Sequence, residues 1–99
     1  MVKVSHNIRK LEHMAELLKA VAHPLRISII DILIQKDEMT VTEIHSLLNI
    51  PQPEASRQLT TLKNAGIVNC KKEGTARIYF LVDKSISNLL DCVENCSIK

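Results

Sequence analysis

The chain has 99 residues, of which 45% are hydrophobic and 24% charged, so one folded domain over residues 1–99 is favoured over disorder. The sequence contains no run of about 18 consecutive apolar residues, the length that a membrane span needs. Its three cysteines do not have the number or spacing of a disulfide framework, so we expect a cytoplasmic protein. The net charge is only +2, but residues 54–77 carry five basic and two acidic side chains, against eight and nine elsewhere. This local excess favours a phosphate-bearing partner.

The first predicted helix covers residues 5–22 and has an unusually wide apolar face. Its apolar residues recur at helical spacing in two adjacent stripes, which is more than one packing partner requires. Two interpretations stay open: the helix is buried in its own core, or it lies between that core and a second subunit. In the second case the dimer contacts on this helix are Met14, Leu17, Leu18 and Val21.

Two further helices are predicted before the middle of the chain. Pro24 suits the first position of a helix that runs to Gln35 and is apolar on most sides, as in a central buried helix. Lys36–Glu38 reads as a solvated break. Thr40 and Glu43 then have the spacing of a capping box, which starts a short helix that ends before residue 49.

The most informative segment is a polar helix that follows Pro51 and ends near Gly66. Only a narrow stripe of this helix is apolar, while the rest carries short polar and cationic side chains, which suit entry into a DNA groove. A two-stranded hairpin follows, with strands at residues 67–72 and 77–82. The expected DNA contacts are Gln52, Ser56, Arg57, Gln58, Thr60 and Lys63 on the helix, and Lys71, Lys72, Thr75 and Arg77 on the hairpin.

The order of these elements predicts a mainly α fold, a winged helix-turn-helix with about five helices and a two-stranded hairpin as the wing. The last helix is expected to start near Ser85 and to place Leu89 and Val93 at the dimer contact. An enzyme is disfavoured because the sequence contains neither a phosphate-binding glycine loop nor a nucleophile elbow. The alternative is a winged helix used for protein contacts, which would expose apolar anchors on the polar helix instead.

Three segments resemble the ArsR/SmtB family of transcriptional regulators: Leu18–Arg26, Gln52–Val68 and Gly74–Tyr79. The resemblance covers roughly Leu11 to Val93. It implies a homodimer joined through the first and last helices, which binds a near-palindromic double-stranded DNA operator and represses until a ligand lowers its affinity.

The same resemblance indicates that the familiar metal sites of the family are missing here. Thr40 and Thr42 stand near the start of the third helix, where the family's cysteines would bind metal, and the ligands of its last-helix site are also replaced. No cofactor is therefore expected to be required. Cys92 and Cys96 share one face of the last helix and are the remaining candidates for metal or thiol-redox sensing. The alternative is that both cysteines only pack at the dimer interface.

Overall fold

The computed structural model describes residues 8–82, 86–88 and 90. Within these residues, helices and strands follow one another in the order expected of a winged helix-turn-helix. They are α1 (Ile8–Val21), α2 (Pro24–Lys36), β1 (Glu38–Thr40), α3 (Val41–Leu48), α4 (Gln52–Asn64), β2 (Val68–Glu73) and β3 (Ala76–Leu81). The predicted fold class, a mainly helical winged helix-turn-helix, is confirmed.

Local hydrogen bonds start α2 and α3 where the sequence predicts. His23 precedes Pro24, and its Nδ1 accepts from the backbone N–H of Leu25 at 3.1 Å. At the start of α3, Thr40 Oγ1 accepts from the N–H of Glu43 at 3.1 Å, and Glu43 Oε1 accepts from the N–H of Thr40 at 2.9 Å. The capping box is therefore confirmed.

The end of α4 connects this helix directly to the wing. Gly66 adopts a left-handed conformation with φ +80°, which glycine reaches without a Cβ penalty. Its N–H donates to the carbonyl of Lys63, and the N–H of Ile67 donates to Leu62, both at 3.0 Å, as in a Schellman motif. Strand β2 begins one residue later, so little chain separates α4 from the wing.

The three strands form one antiparallel sheet in the order β1-β3-β2. Strands β2 and β3 are joined by the two-residue turn Gly74–Thr75, in which Gly74 has φ +63°, as the first position of a type II′ hairpin turn requires. The sequence predicted only two strands and a solvated break at Lys36–Glu38. Strand β1 forms because Met39 pairs with Tyr79, about forty positions later in the chain, and no local periodicity reveals such a partner.

The core lies between α2, α3, α4 and the sheet, and the end of α1 contributes to it. Val21, predicted at the dimer contact, is 5% exposed and belongs to this core, so that assignment is corrected. The side chains that are fully buried are Ile29, Ile30, Leu33, Ile44, Leu59, Leu62 and Val68.

The predicted last helix is described only at residues 86–88 and 90, which are helical. Ile86 and Leu90 pack against the core. Leu89, Cys92, Val93 and Cys96 lie outside the described residues. Within the described part of the chain, no helix combines the length and apolar character that crossing a membrane requires.

Candidate nucleic-acid interface

Helix α4 divides into a narrow buried face and a broad polar face. Ala55, Leu59 and Leu62 are fully buried and attach the helix to the core. Five of the six predicted α4 contacts remain accessible: Ser56 is half-buried, and Gln52, Arg57, Thr60 and Lys63 are exposed. The helix therefore has the division of faces that was predicted, with the exception of Gln58.

A polar groove lies between one side of α4 and the wing. Gln52, Ser56 and Thr60 follow one another at intervals of four residues and so line the groove from one helix face. Thr75 and Arg77 line it from the wing. These five residues, all predicted to contact DNA, are thus gathered at one site, whereas Arg57 and Lys63 lie on α4 outside the groove.

The pairing of β2 with β3 separates the two wing lysines. Lys72 is directly opposite Arg77, so their side chains project from the same face of the hairpin. Because side chains alternate along a strand, Lys71 projects from the other face. There Lys71 Nζ lies 2.9 Å from Glu38 Oε2, a contact that joins the two outer strands across β3. The hydrogen bond and the charge of Glu38 raise the pKa of Lys71 above its usual value of 10.5.

Gln58 does not reach the polar face, contrary to its predicted role as a DNA contact. Its residue exposure is 7%, and its amide is engaged on both sides. Gln58 Nε2 donates to Glu54 Oε2 at 2.7 Å, and Gln58 Oε1 accepts from Arg26 Nε at 2.7 Å. The helical spacing already contained the signal, since position 58 lies three residues after Ala55 and four before Leu62, within the buried stripe.

Glu54 is the contributor to this surface that the sequence did not single out as part of the site. Its Oε1 accepts from Arg57 Nη2 while its Oε2 accepts from Gln58. Glu54 precedes Arg57 by three residues, a spacing at which side chains of opposite charge meet on a helix. Arg57 remains 67% exposed at its side chain despite this ion pair, so it stays accessible to a ligand.

No set of three or more histidine, cysteine or acidic side chains comes close enough to hold a metal in the described part of the chain. Two of the histidines instead stabilise helix ends: His23 caps α2, and His45 Nδ1 lies 3.1 Å from the carbonyl oxygen of Ile50 in the turn before α4. Cys70 is half-buried and lies opposite Tyr79 in the sheet. Cys92 and Cys96 fall outside the described residues, so sensing by them stays a prediction.

Comparisons with known proteins identify relatives of the whole arrangement. Residues 21–71 match the family model of a helix-turn-helix domain. An uncharacterized HTH-type transcriptional regulator of Methanocaldococcus jannaschii is 38% identical over 87 residues, which cover 88% of this chain and 98% of the relative. The HTH-type transcriptional repressor SmtB of Mycobacterium tuberculosis is 36% identical over 84 residues, which cover 84% of this chain and 62% of the relative.

A solved structure reproduces the fold over most of the chain. It is the homodimeric winged helix-turn-helix DNA-binding domain of a possible ArsR-family transcriptional regulator from Mycobacterium bovis. The TM-score is 0.78 at 28% sequence identity, and the match covers 95% of this chain and 84% of the other.

Proposed function

Because this chain belongs to the ArsR/SmtB family of helix-turn-helix transcriptional regulators, we propose that it is a homodimeric repressor that binds a near-palindromic DNA operator sequence-specifically. An effector or redox signal would release it from DNA. The observation that carries the proposal is the groove in which short polar side chains of α4 face the cationic wing. The named relatives are regulators rather than enzymes, and a regulator of chromosomal genes would work in the cytoplasm.

The division of labour within the site follows from side-chain chemistry. Ser56 and Thr60 are short enough for the backbone of α4 to approach the bases, and the amide of the longer Gln52 and the two hydroxyls suit base edges in the major groove. Arg57 is the candidate for a bidentate contact with guanine. The longer cations suit phosphates: Lys63 lies on α4 outside the groove, and Lys72 lies opposite Arg77 on the wing. Thr75 at the hairpin turn suits the DNA backbone.

The homodimer rests on the outer face of α1. Met14 and Leu18 are large apolar side chains that are 46% and 51% exposed, and Leu17 is half-buried beside them. Large exposed apolar side chains on one helix are typical of a surface that another chain covers. In the proposed dimer these residues meet the partner together with Leu89 and Val93 of the last helix. A two-fold dimer would dock its two α4 helices in half-sites about 34–36 Å apart.

The experiment that tests this proposal compares two duplexes of about 30 base pairs, a length that accommodates two such half-sites. One duplex is selected from a random library with the wild-type protein, and the other is a shuffled sequence of the same composition. Arg57→Ala removes one base contact from each subunit, each worth about 1–3 kcal/mol, so it should weaken binding of the dimer to the selected duplex by at least about 30-fold. Its affinity for the shuffled duplex should fall much less.

Lys63→Ala is the matched control, because it removes one positive charge from the same helix. It should weaken binding to both duplexes alike and lower the salt dependence by about one unit per subunit. If Arg57→Ala lost the same affinity for both duplexes, Arg57 would not be a base contact. A wild-type protein that prefers no duplex would contradict the proposed function and favour a module for protein contacts.

A further inference from the structure

A chain of hydrogen bonds links the surface of α4 to the end of α1. Arg57 Nη2 donates to Glu54 Oε1, and Gln58 Nε2 donates to the second oxygen of the same carboxylate at 2.7 Å. Gln58 Oε1 accepts from Arg26 Nε at 2.7 Å, and Arg26 Nη1 donates to the carbonyl of Ala20 at 3.3 Å. The exposed arginine of α4 is therefore connected, through Glu54 and Gln58, to residues more than thirty positions away.

Burial increases from Arg57 through Glu54 to Gln58, and Arg26 beyond it is half-buried. The side chain of Arg57 is 67% exposed and that of Glu54 is 30% exposed, whereas Gln58 is 7% exposed. A buried amide is costly unless its donors and acceptor are bonded, and an apolar side chain of similar shape would fill the same space without partners. Packing alone therefore does not require glutamine here. What glutamine adds is a donor for Glu54 and an acceptor for Arg26.

We propose that Gln58 and Arg26 are positioning residues that hold the Glu54 carboxylate, and that Glu54 thereby orients the guanidinium of Arg57 for base reading. This inference rests on the proposed function. A guanidinium has five N–H donors, so a bond from Nη2 to Glu54 leaves donors for the edge of a guanine. An arginine that is already ordered also loses less conformational entropy when it binds.

The carboxylate also bears on the choice between specific and non-specific DNA. Glu54 partly offsets the charge of Arg57 and restrains its reach, so both effects weaken opportunistic contacts with phosphates. An oriented donor pair, in contrast, favours the one base edge that matches it. Specificity is the difference between the affinities for specific and for non-specific DNA. In this proposal Glu54 raises the first affinity and lowers the second, so it increases specificity.

The test is Gln58→Met, because methionine has a similar length and helix propensity and adapts to irregular core spaces. The substitution removes both side-chain bonds of Gln58 and leaves the charge of the protein and Arg57 unchanged. The matched control is Gln35→Met on α2. Gln35 Nε2 also donates to a carboxylate four residues earlier, Asp31 Oδ2 at 3.2 Å, but this pair is exposed and lies outside the chain of contacts.

Two measurements are made on each variant, after thermal unfolding has checked that it folds. The first is the NMR order parameter of the Arg57 Nε–Hε group in the DNA-free protein, which should fall in Gln58→Met and not in Gln35→Met. The second is the ratio of affinities for the selected and shuffled duplexes, which should fall at least about threefold in Gln58→Met, a part of what a full base contact is worth. The salt dependence of DNA binding should be the same for Gln58→Met as for the wild-type protein.

A double-mutant cycle then assigns the effect to Arg57. In the Arg57→Ala background, Gln58→Met should lower the affinity ratio no further, because the residue that it positions is gone. Glu54→Ala, at a half-buried position outside the core, should reproduce the loss of Arg57 order and raise affinity for the shuffled duplex. This second variant keeps the proposal testable if methionine at position 58 prevents folding.

Unchanged Arg57 order in Gln58→Met would overturn the inference, and so would an equal loss of affinity for both duplexes. A further fall in the Arg57→Ala background would also overturn it. Failure of this inference is distinguishable from failure of the proposed function, because the NMR measurement needs no DNA. If the proposed function is wrong, the wild-type protein prefers neither duplex, but the order of Arg57 still reports whether Gln58 positions it.

Discussion

The two wing lysines are neighbours in sequence, and we predict that only one of them contributes to the salt dependence of DNA binding. Lys72 lies opposite Arg77, on the hairpin face that includes a side chain of the groove. Lys71 points from the other face and is bonded to Glu38. Lys72→Gln and Lys71→Gln remove the same charge at adjacent positions, so each variant is the control for the other.

The expected magnitude follows from the number of phosphates neutralised. Each phosphate contact adds about 0.9 to the slope of log affinity against log salt. A dimer presents two wings, so Lys72→Gln should lower this slope by about 1.8. Between about 50 and 200 mM salt, the wild-type protein should therefore lose about tenfold more affinity than the variant. Lys71→Gln should leave the slope nearly unchanged, because the charge of Lys71 is already offset by Glu38.

The assay is a fluorescence-anisotropy titration of the selected duplex at four or more salt concentrations. Both variants should unfold at nearly the wild-type temperature, since exposed surface substitutions usually change stability by less than about 0.5 kcal/mol. Equal slopes for Lys71→Gln and Lys72→Gln would refute the reasoning. In that case the alternation of side chains along β2 would not decide which lysine meets the phosphates.

The remaining predictions concern the dimer and its signal. Leu18→Glu should give a monomer in sedimentation at micromolar concentration and weaken DNA binding. The control is Leu47→Glu, at a similarly exposed leucine of α3, which should stay dimeric. A dimeric Leu18→Glu protein would contradict the placement of the dimer contact on the outer face of α1. Any loss of DNA affinity caused by zinc, arsenite or an oxidant should disappear in the Cys92→Ser/Cys96→Ser double variant. A response that persists there would place the sensor elsewhere.

Features that depend on nearby residues could be predicted from the sequence. The capping box of Thr40 and Glu43 and the helix start at Pro24 are encoded within a few positions, and the polar face of α4 follows from helical spacing. The hairpin is equally local, but its turn is the two residues Gly74–Thr75 rather than the four left between the predicted strands.

Features that depend on distant partners could not be predicted in this way. Strand β1 exists because Glu38–Thr40 finds a partner in β3, and three residues are too few for a periodic pattern. The engagement of Gln58 depends on Arg26, which lies 32 positions earlier and approaches only when α2 packs on α4. The separation of Lys71 from Lys72 required the register of the sheet, since the sequence shows only two adjacent cations.

The narrow buried face of α4 also affects how this regulator can diverge. Ala55, Leu59 and Leu62 attach the helix to the core, so substitutions at Ser56 and Thr60 leave that attachment intact. If Ser56 and Thr60 read bases as proposed, stability and operator preference are encoded at largely separate positions of one helix. After gene duplication, a copy could acquire a new target in a few mutational steps, each of which leaves a folded protein for selection to act on.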